Sequence, residues 1–158
     1  MKKLLLGIAL VAFMVSTPML PAQQTLSTLV DRNRVLLIFT PTALDGRYGQ
    51  QLDDFNHHEA DIRARDLVVI PLIQQTGPPN LSPVLRTLQP PYISDWEQIT
   101  IRRRFHIAAS EFAVILIGKD GGEKLRTTTP ITITHLNRTI DAMPMRQEEM
   151  RQKSSRPQ

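Results

Sequence analysis

The chain has 158 residues, 41% of them hydrophobic and 22% charged, a composition that fits one globular domain with a single core. It contains no cysteine, which excludes disulfides, thiolate metal sites and every thiol-based redox mechanism. The formal net charge is +4, falling to about +2 if Lys2 and Lys3 leave with a cleaved leader; an exported domain with this balance is a poor candidate for nucleic-acid binding.

Lys2 and Lys3 precede an apolar run over residues 4–15, followed by Ser16, Thr17, Pro18 and the small residue Ala22. This layout predicts a secretory signal peptide over residues 1–22 and a periplasmic or secreted protein. The run is shorter than the ~20 residues that span a bilayer as a helix. Cleavage is expected after Ala22, with Ser16 as the other small candidate, because Leu20 stands where a small residue is preferred upstream of Ala22.

Residues 34–40 (Arg-Val-Leu-Leu-Ile-Phe-Thr) form a short continuous apolar run suited to a strand buried on both faces, stopped by Pro41. Beyond Asp45, which can cap a helix, Tyr48, Leu52 and Phe55 recur at helical spacing. Residues 66–73 (Asp-Leu-Val-Val-Ile-Pro-Leu-Ile) read as a second buried strand, so the three elements make a right-handed parallel βαβ unit. Pro71 predicts an irregularity or an early end to that strand.

Residues 74–93 carry five prolines and read as a long loop, with one short helical turn started by Ser82 and Pro83. Ser94 and Glu97 have capping-box spacing for the next helix, whose buried contacts are expected from Trp96, Ile99 and Phe105. Residues 112–117 are wholly apolar, and Asp120-Gly121-Gly122 predicts a hairpin into residues 123–127. Ile133, Leu136, Ile140 and Met143 make a last helical stripe with Thr132 as cap and Pro144 breaking it. Residues 152–158 are polar and are expected to be disordered.

The order β-α-β, loop, α, β-β hairpin, α predicts a thioredoxin-like three-layer α/β/α sandwich over residues 33–151. The chain also resembles the family labelled domain of unknown function 4174, related to domains of sushi-repeat-containing secreted proteins and described as peroxiredoxin-like. The carriers are residues 34–41, 65–70, 112–121 with Lys124-Leu125-Arg126, and Ile140-Asp141-Ala142-Met143-Pro144-Met145-Arg146. The resemblance implies the fold and not the reaction. The two cysteines of a thioredoxin motif would fall on Ala43 and Gly46, and the threonine and cysteine of the peroxiredoxin pattern on Asp45 and Tyr48.

In a parallel βαβ unit the carboxyl ends of both strands share one edge, where ligands bind in open sheets. Thr42, Asp45, Arg47 and Glu111 are the candidate ligand- or partner-binding residues there, with Tyr92 or Trp96 nearby; the plainer reading makes Asp45 a cap and Arg47 a solvated side chain. Hydrolysis by Thr40 or Thr42 would need an adjacent base, and none of His57, His58, His106 and His135 is tied to that turn by sequence. His57, His58, Glu59 and Asp61 lack metal-ligand spacing, so no metal and no cofactor is expected.

Arg102, Arg103 and Arg104 read as solvated around a helix. The basic residues Arg146, Arg151, Lys153 and Arg156 read as a solvated tail, with lipid contact as the alternative. Met143 is expected in the core, while Met145 and Met150 are left unassigned. The functional expectation is a redox-inactive binding module for an envelope protein or small ligand; the alternative is a thiol-independent enzyme at the 40–47 turn.

Overall fold

The computed structural model describes residues 24–74 and 82–155. The expected signal peptide with Ala22, residues 75–81 of the long loop, and Arg156 lie outside the described residues. The elements are α1 (Gln24–Val30), β1 (Arg34–Thr40), α2 (Gly46–Phe55), α3 (Glu59–Ala64), β2 (Leu67–Ile73), α4 (Pro83–Leu88), α5 (Asp95–Phe105), β3 (Ala113–Ile117), β4 (Glu123–Thr127), α6 (Ile133–Asp141) and α7 (Pro144–Ser154).

The four strands form one sheet in the order β2-β1-β3-β4. β1 pairs in parallel with β2, and antiparallel with β3, which pairs antiparallel with β4. Every residue of β1 is buried because it lies between two neighbours and is covered on both faces. Its side chains alternate: Leu36 and Ile38 face a core with Tyr48, Leu52, Phe55, Val84, Leu136 and Ile140, while Val35, Leu37 and Phe39 face Leu26, Ile101 and Phe105. Helices α2, α3, α4 and α6 thus cover one face and α1 with α5 the other, giving the expected three layers. At roughly 1.5–3 kcal/mol per fully buried large apolar side chain, these two clusters dominate stability.

Local chemistry sets the ends of the elements. Asp45 caps α2, the Ser94 and Glu97 capping box starts α5, and Thr132 caps α6. The hairpin between β3 and β4 turns at Gly121, whose φ of +76° is a conformation that L side chains rarely adopt.

Three expectations change. β2 runs through Pro71 to Ile73 without ending early, and Pro71 stays in register opposite Ile38. It can do so because β2 is an edge strand, where a missing N–H is tolerated. The short helical turn expected from Ser82 and Pro83 is present as the six-residue α4, anchored by the buried Val84 and Leu85.

In α5, Trp96 and Ile99 point outward, and the buried positions are Glu97, Ile101, Arg102 and Phe105. Polar groups take core positions there because each satisfies backbone: Glu97 closes the cap, and Arg102 bonds three carbonyls. Finally, Pro144 ends one helix and starts another, standing at the first turn of α7, where a missing N–H costs nothing. α7 continues through Ser154, beyond the point where an irregular tail is expected.

Candidate functional site at the carboxyl edge of the sheet

The carboxyl ends of β1 and β2 leave carbonyls that no longer have a full strand ladder. The Thr40 carbonyl accepts from the Gln74 N–H at 3.0 Å and from Arg102 Nη2 at 2.8 Å. The same Nη2 donates to the Leu72 carbonyl at 2.9 Å, and Nη1 donates to the Ala108 carbonyl at 3.0 Å. Arg102 is only 5% exposed, and its guanidinium carbon lies 5.4 Å from the Phe39 ring centre. Burial lowers the Arg102 pKa, while the negative charge of Glu111 opposes that shift. The expectation that all three arginines are solvated therefore fails for Arg102; Arg103 and Arg104 are exposed.

The predicted site residues lie on this edge but are committed to one another. Thr40 Oγ1 donates to the Thr42 carbonyl at 2.8 Å, and Thr42 Oγ1 accepts from the Leu44 N–H. Asp45 accepts from the Arg47 backbone N–H at 2.9 Å, from Arg47 Nε at 3.0 Å and from Arg47 Nη2 at 2.7 Å. The hydrogen bonds from Arg47 hold the Asp45 carboxyl below its ordinary pKa, and the same pairing raises that of Arg47. Arg47 also stacks over the Phe112 ring at 5.1 Å, which ties the 40–47 turn to the start of β3.

Glu111 is exposed and turns the other way, accepting from the Ala108 N–H at 2.6 Å. The structure thus joins Thr42, Asp45 and Arg47 on the α2 side of the edge and leaves Glu111 beside Arg102.

Chemistry at the positions of the missing thiols is equally closed. Gly46 is the first residue of α2, and Tyr48 is 2% exposed with a buried hydroxyl that has no hydrogen-bond partner. Burial pushes the Tyr48 pKa up to about 12, so its hydroxyl is a poor nucleophile at neutral pH. The histidines are elsewhere: His58 pairs with Asp61 at 3.2 Å, and His106 terminates α5 in a left-handed conformation. Among the described residues no cluster of histidine, aspartate or glutamate could hold a metal ion.

What remains open is the flank of α5. A groove of about 430 Å³ is lined by Gln74, Ile99, Arg102, Arg103, His106 and the turn that follows. A smaller hollow of about 210 Å³ continues it past Ile73, Asp95 and Gln98. Ile99, which lines both, is 38% exposed, and on the same stretch of chain Tyr92 is 85% and Trp96 54% exposed. Trp96, Ile99 and Arg103 recur at i, i+3, i+7 and so share one outward stripe. The i+4 series 97, 101, 105 faces the core, and Arg102 borders it.

The opposite end of the sheet holds an ionic cluster. Arg34, 1% exposed, meets Glu149 through Nη2–Oε1 at 3.1 Å and Nη1–Oε2 at 3.3 Å. Lys119 Nζ donates to Glu149 and Asp66, both at 2.8 Å. Arg146 reaches Glu149 and Asp141, and Arg65 reaches Asp141 at 2.7 Å. Arg146 is therefore part of a structural network and not of a free basic tail, and Arg151 pairs with Glu148. Met143 is half-buried against the core, whereas Met145 and Met150 are exposed.

This arrangement defines a thioredoxin-like domain without thiols, whose would-be active turn is closed by internal contacts. The chain belongs to the family described as domain of unknown function 4174, which matches residues 25–149. It is similar to the sushi repeat-containing protein SRPX of Rattus norvegicus, at 26% identity over 129 residues that cover 82% of this chain and 27% of the relative. The SRPX of Homo sapiens shows the same identity and coverage. The chain thus spans about a quarter of the length of these relatives.

Among solved structures, a thioredoxin-family thiol:disulfide interchange protein of Chlorobium tepidum superposes with a TM-score of 0.55 at 12% identity, covering 73% of this chain and 81% of that one. A reduced 2-Cys peroxiredoxin of Plasmodium vivax superposes at 0.53 and 14% identity, covering 78% and 83%. Likenesses at this identity concern the fold alone. The family boundary at residue 149 includes Glu149, the centre of the ionic cluster.

Proposed function

We propose that this protein is an exported, redox-inactive thioredoxin-like module that binds a partner protein along the exposed flank of α5. The observation that carries the reading is the contrast within one edge of the sheet. The groups that would do chemistry are spent on caps and backbone, while Ile99 and Arg103 line an open groove and Tyr92 and Trp96 stand exposed on the same stretch of chain. Tryptophan, tyrosine and arginine are the residue types that dominate binding energy at protein interfaces. The alternative of a thiol-independent enzyme loses its candidates, since Asp45 caps α2 and pairs with Arg47 and Glu111 is exposed.

Export rests on the leader-like pattern of Lys2, Lys3 and residues 4–15. Among the described residues no helix is long and apolar enough to cross a membrane.

Two experiments test the proposal. N-terminal sequencing of the protein expressed with its own first residues should find a chain starting after Ala22 in the envelope or medium; an uncleaved cytoplasmic chain contradicts export. Tagged mature protein should capture a discrete envelope partner, and Trp96→Ala with Ile99→Ala should abolish that capture without unfolding the domain. Capture unaffected by the double substitution contradicts the assigned surface.

A further inference from the structure

α7 is attached in an unusual way. Its eleven residues, Pro144–Ser154, include none that is buried, and those facing the body are Arg146 and Glu149. A helix without an apolar face gains almost nothing from packing, so side-chain charge must hold it. The group that receives it is prepared in advance: Arg34 lies at the start of the central strand, 1% exposed, and donates to the Arg65 carbonyl at 3.0 Å. Glu149 is its carboxylate partner among the described residues, and Arg34 Nε is buried without a hydrogen-bond partner.

We propose that Arg34 and Lys119 form a binding pocket for a single carboxylate, that Glu149 fills it in cis, and that α7, which carries both Glu149 and Arg146, is thereby a latch which an acidic side chain of a partner protein displaces. The two Glu149 oxygens are divided among the three cations, Oε1 with Lys119 and Arg34 Nη2, and Oε2 with Arg34 Nη1 and Arg146. That is the bidentate geometry in which arginine recognises carboxylates. The rim restricts the ligand, because Asp66 already holds Lys119 and Asp141 is held by Arg65. These two fixed acids repel a dense polyanion and leave room for one carboxylate.

A charge-held contact of this kind is exchangeable. A competing carboxylate makes the same bonds that Glu149 makes, and it must overcome only the millimolar effective concentration of a tethered group. A helix seated on buried leucines would offer no such exchange. The proposal is independent of the α5 surface, since the pocket lies at the opposite end of the sheet.

The test uses formate as the probe and chloride at matched ionic strength as the control, on the full mature chain. Glu149→Ala should lower the thermal midpoint by about 5 °C or more. Formate in the tens of millimolar should restore part of that loss where chloride does not, and Arg34→Met in the same background should erase the formate effect. A Glu149→Ala protein as stable as the parent, or formate no better than chloride, overturns the pocket. The parent chain gives a second reading that needs no variant. Formate should speed amide hydrogen exchange across residues 144–154 at least several-fold while α6 stays protected; exchange indifferent to formate overturns the latch.

Discussion

The Arg102 guanidinium and the Thr40 carbonyl, 62 positions apart in sequence, meet at 2.8 Å where β1 ends. The contact closes the edge at which a catalytic member of this fold class would keep its reactive turn. One side chain also holds the Leu72 and Ala108 carbonyls, so the ends of β1 and β2 and the turn after α5 share a single fastener.

Replacing Arg102 by methionine should therefore destabilise the domain by about 2–4 kcal/mol, because the Thr40, Leu72 and Ala108 carbonyls each lose a charged donor. Lysine should recover little, as an ammonium cannot span three carbonyls in the plane of a guanidinium. Urea unfolding of the two variants measures this. A loss below ~1 kcal/mol for Arg102→Met would show that the carbonyls find other donors.

Acid should weaken the fold through Glu149. Burial pushes its pKa up, but hydrogen bonds from Lys119 and Arg34, with the attraction of Arg34 and the bond from Arg146, outweigh burial and hold the carboxyl at about 2 against an ordinary 4.5. A depressed carboxylate contributes stability that is complete above the unfolded value and lost as pH falls through the folded one. The contribution should fade between about 4.5 and about 2. Solvent screening at a partly exposed group limits it to roughly 1–2 kcal/mol. Asp66 and Asp141, the neighbouring acids, remain in both proteins, so the difference between parent and Glu149→Gln unfolding across this range isolates the contribution of Glu149.

Tyr48 should act at the alkaline end. Burial raises its pKa from 10.0 to about 12, so the folded state retains the phenolic proton longer than the unfolded chain. Stability from this group is present below 10 and declines as pH rises toward 12. Tyr48→Phe should remove that decline. At neutral pH it should cost less than ~0.5 kcal/mol or be stabilising, because it deletes a buried hydroxyl that has no partner. Thermal midpoints at pH 7 and pH 10.5 provide the comparison.

The α5 cap offers a check on the helix that presents the proposed binding face. Ser94 Oγ accepts from the Glu97 N–H and the Glu97 carboxylate answers the Ser94 N–H at 3.0 Å. Ser94→Ala should cost about 1 kcal/mol and loosen hydrogen exchange first in the turn that carries Trp96. Uniform loosening across the domain would show that α5 has no separate stability.

Much of this architecture was legible because it depends on local rules. The buried run at residues 34–40, the caps at Asp45, Ser94 and Thr132, and the turn at Gly121 each follow from neighbours within a few residues. The candidate edge was legible too, since Thr42, Asp45 and Arg47 lie at the end of β1. Arg102 and Arg34 were not, because a charged residue joins a core only when distant carbonyls or acids are brought to it. Trp96 was misplaced for the converse reason: hydrophobicity suggests burial, while the phase of α5 turns that position outward.

The proposed working surface is the flank of α5, and not the 40–47 turn. Site-specific photocrosslinking tests it most directly, with the photoreactive residue placed in turn at Ile99 on α5, at Leu44 in the 40–47 turn and at His135 on α6. Position 99 should give a discrete adduct with an envelope protein, and positions 44 and 135 none. An adduct from position 44 with position 99 silent would contradict it.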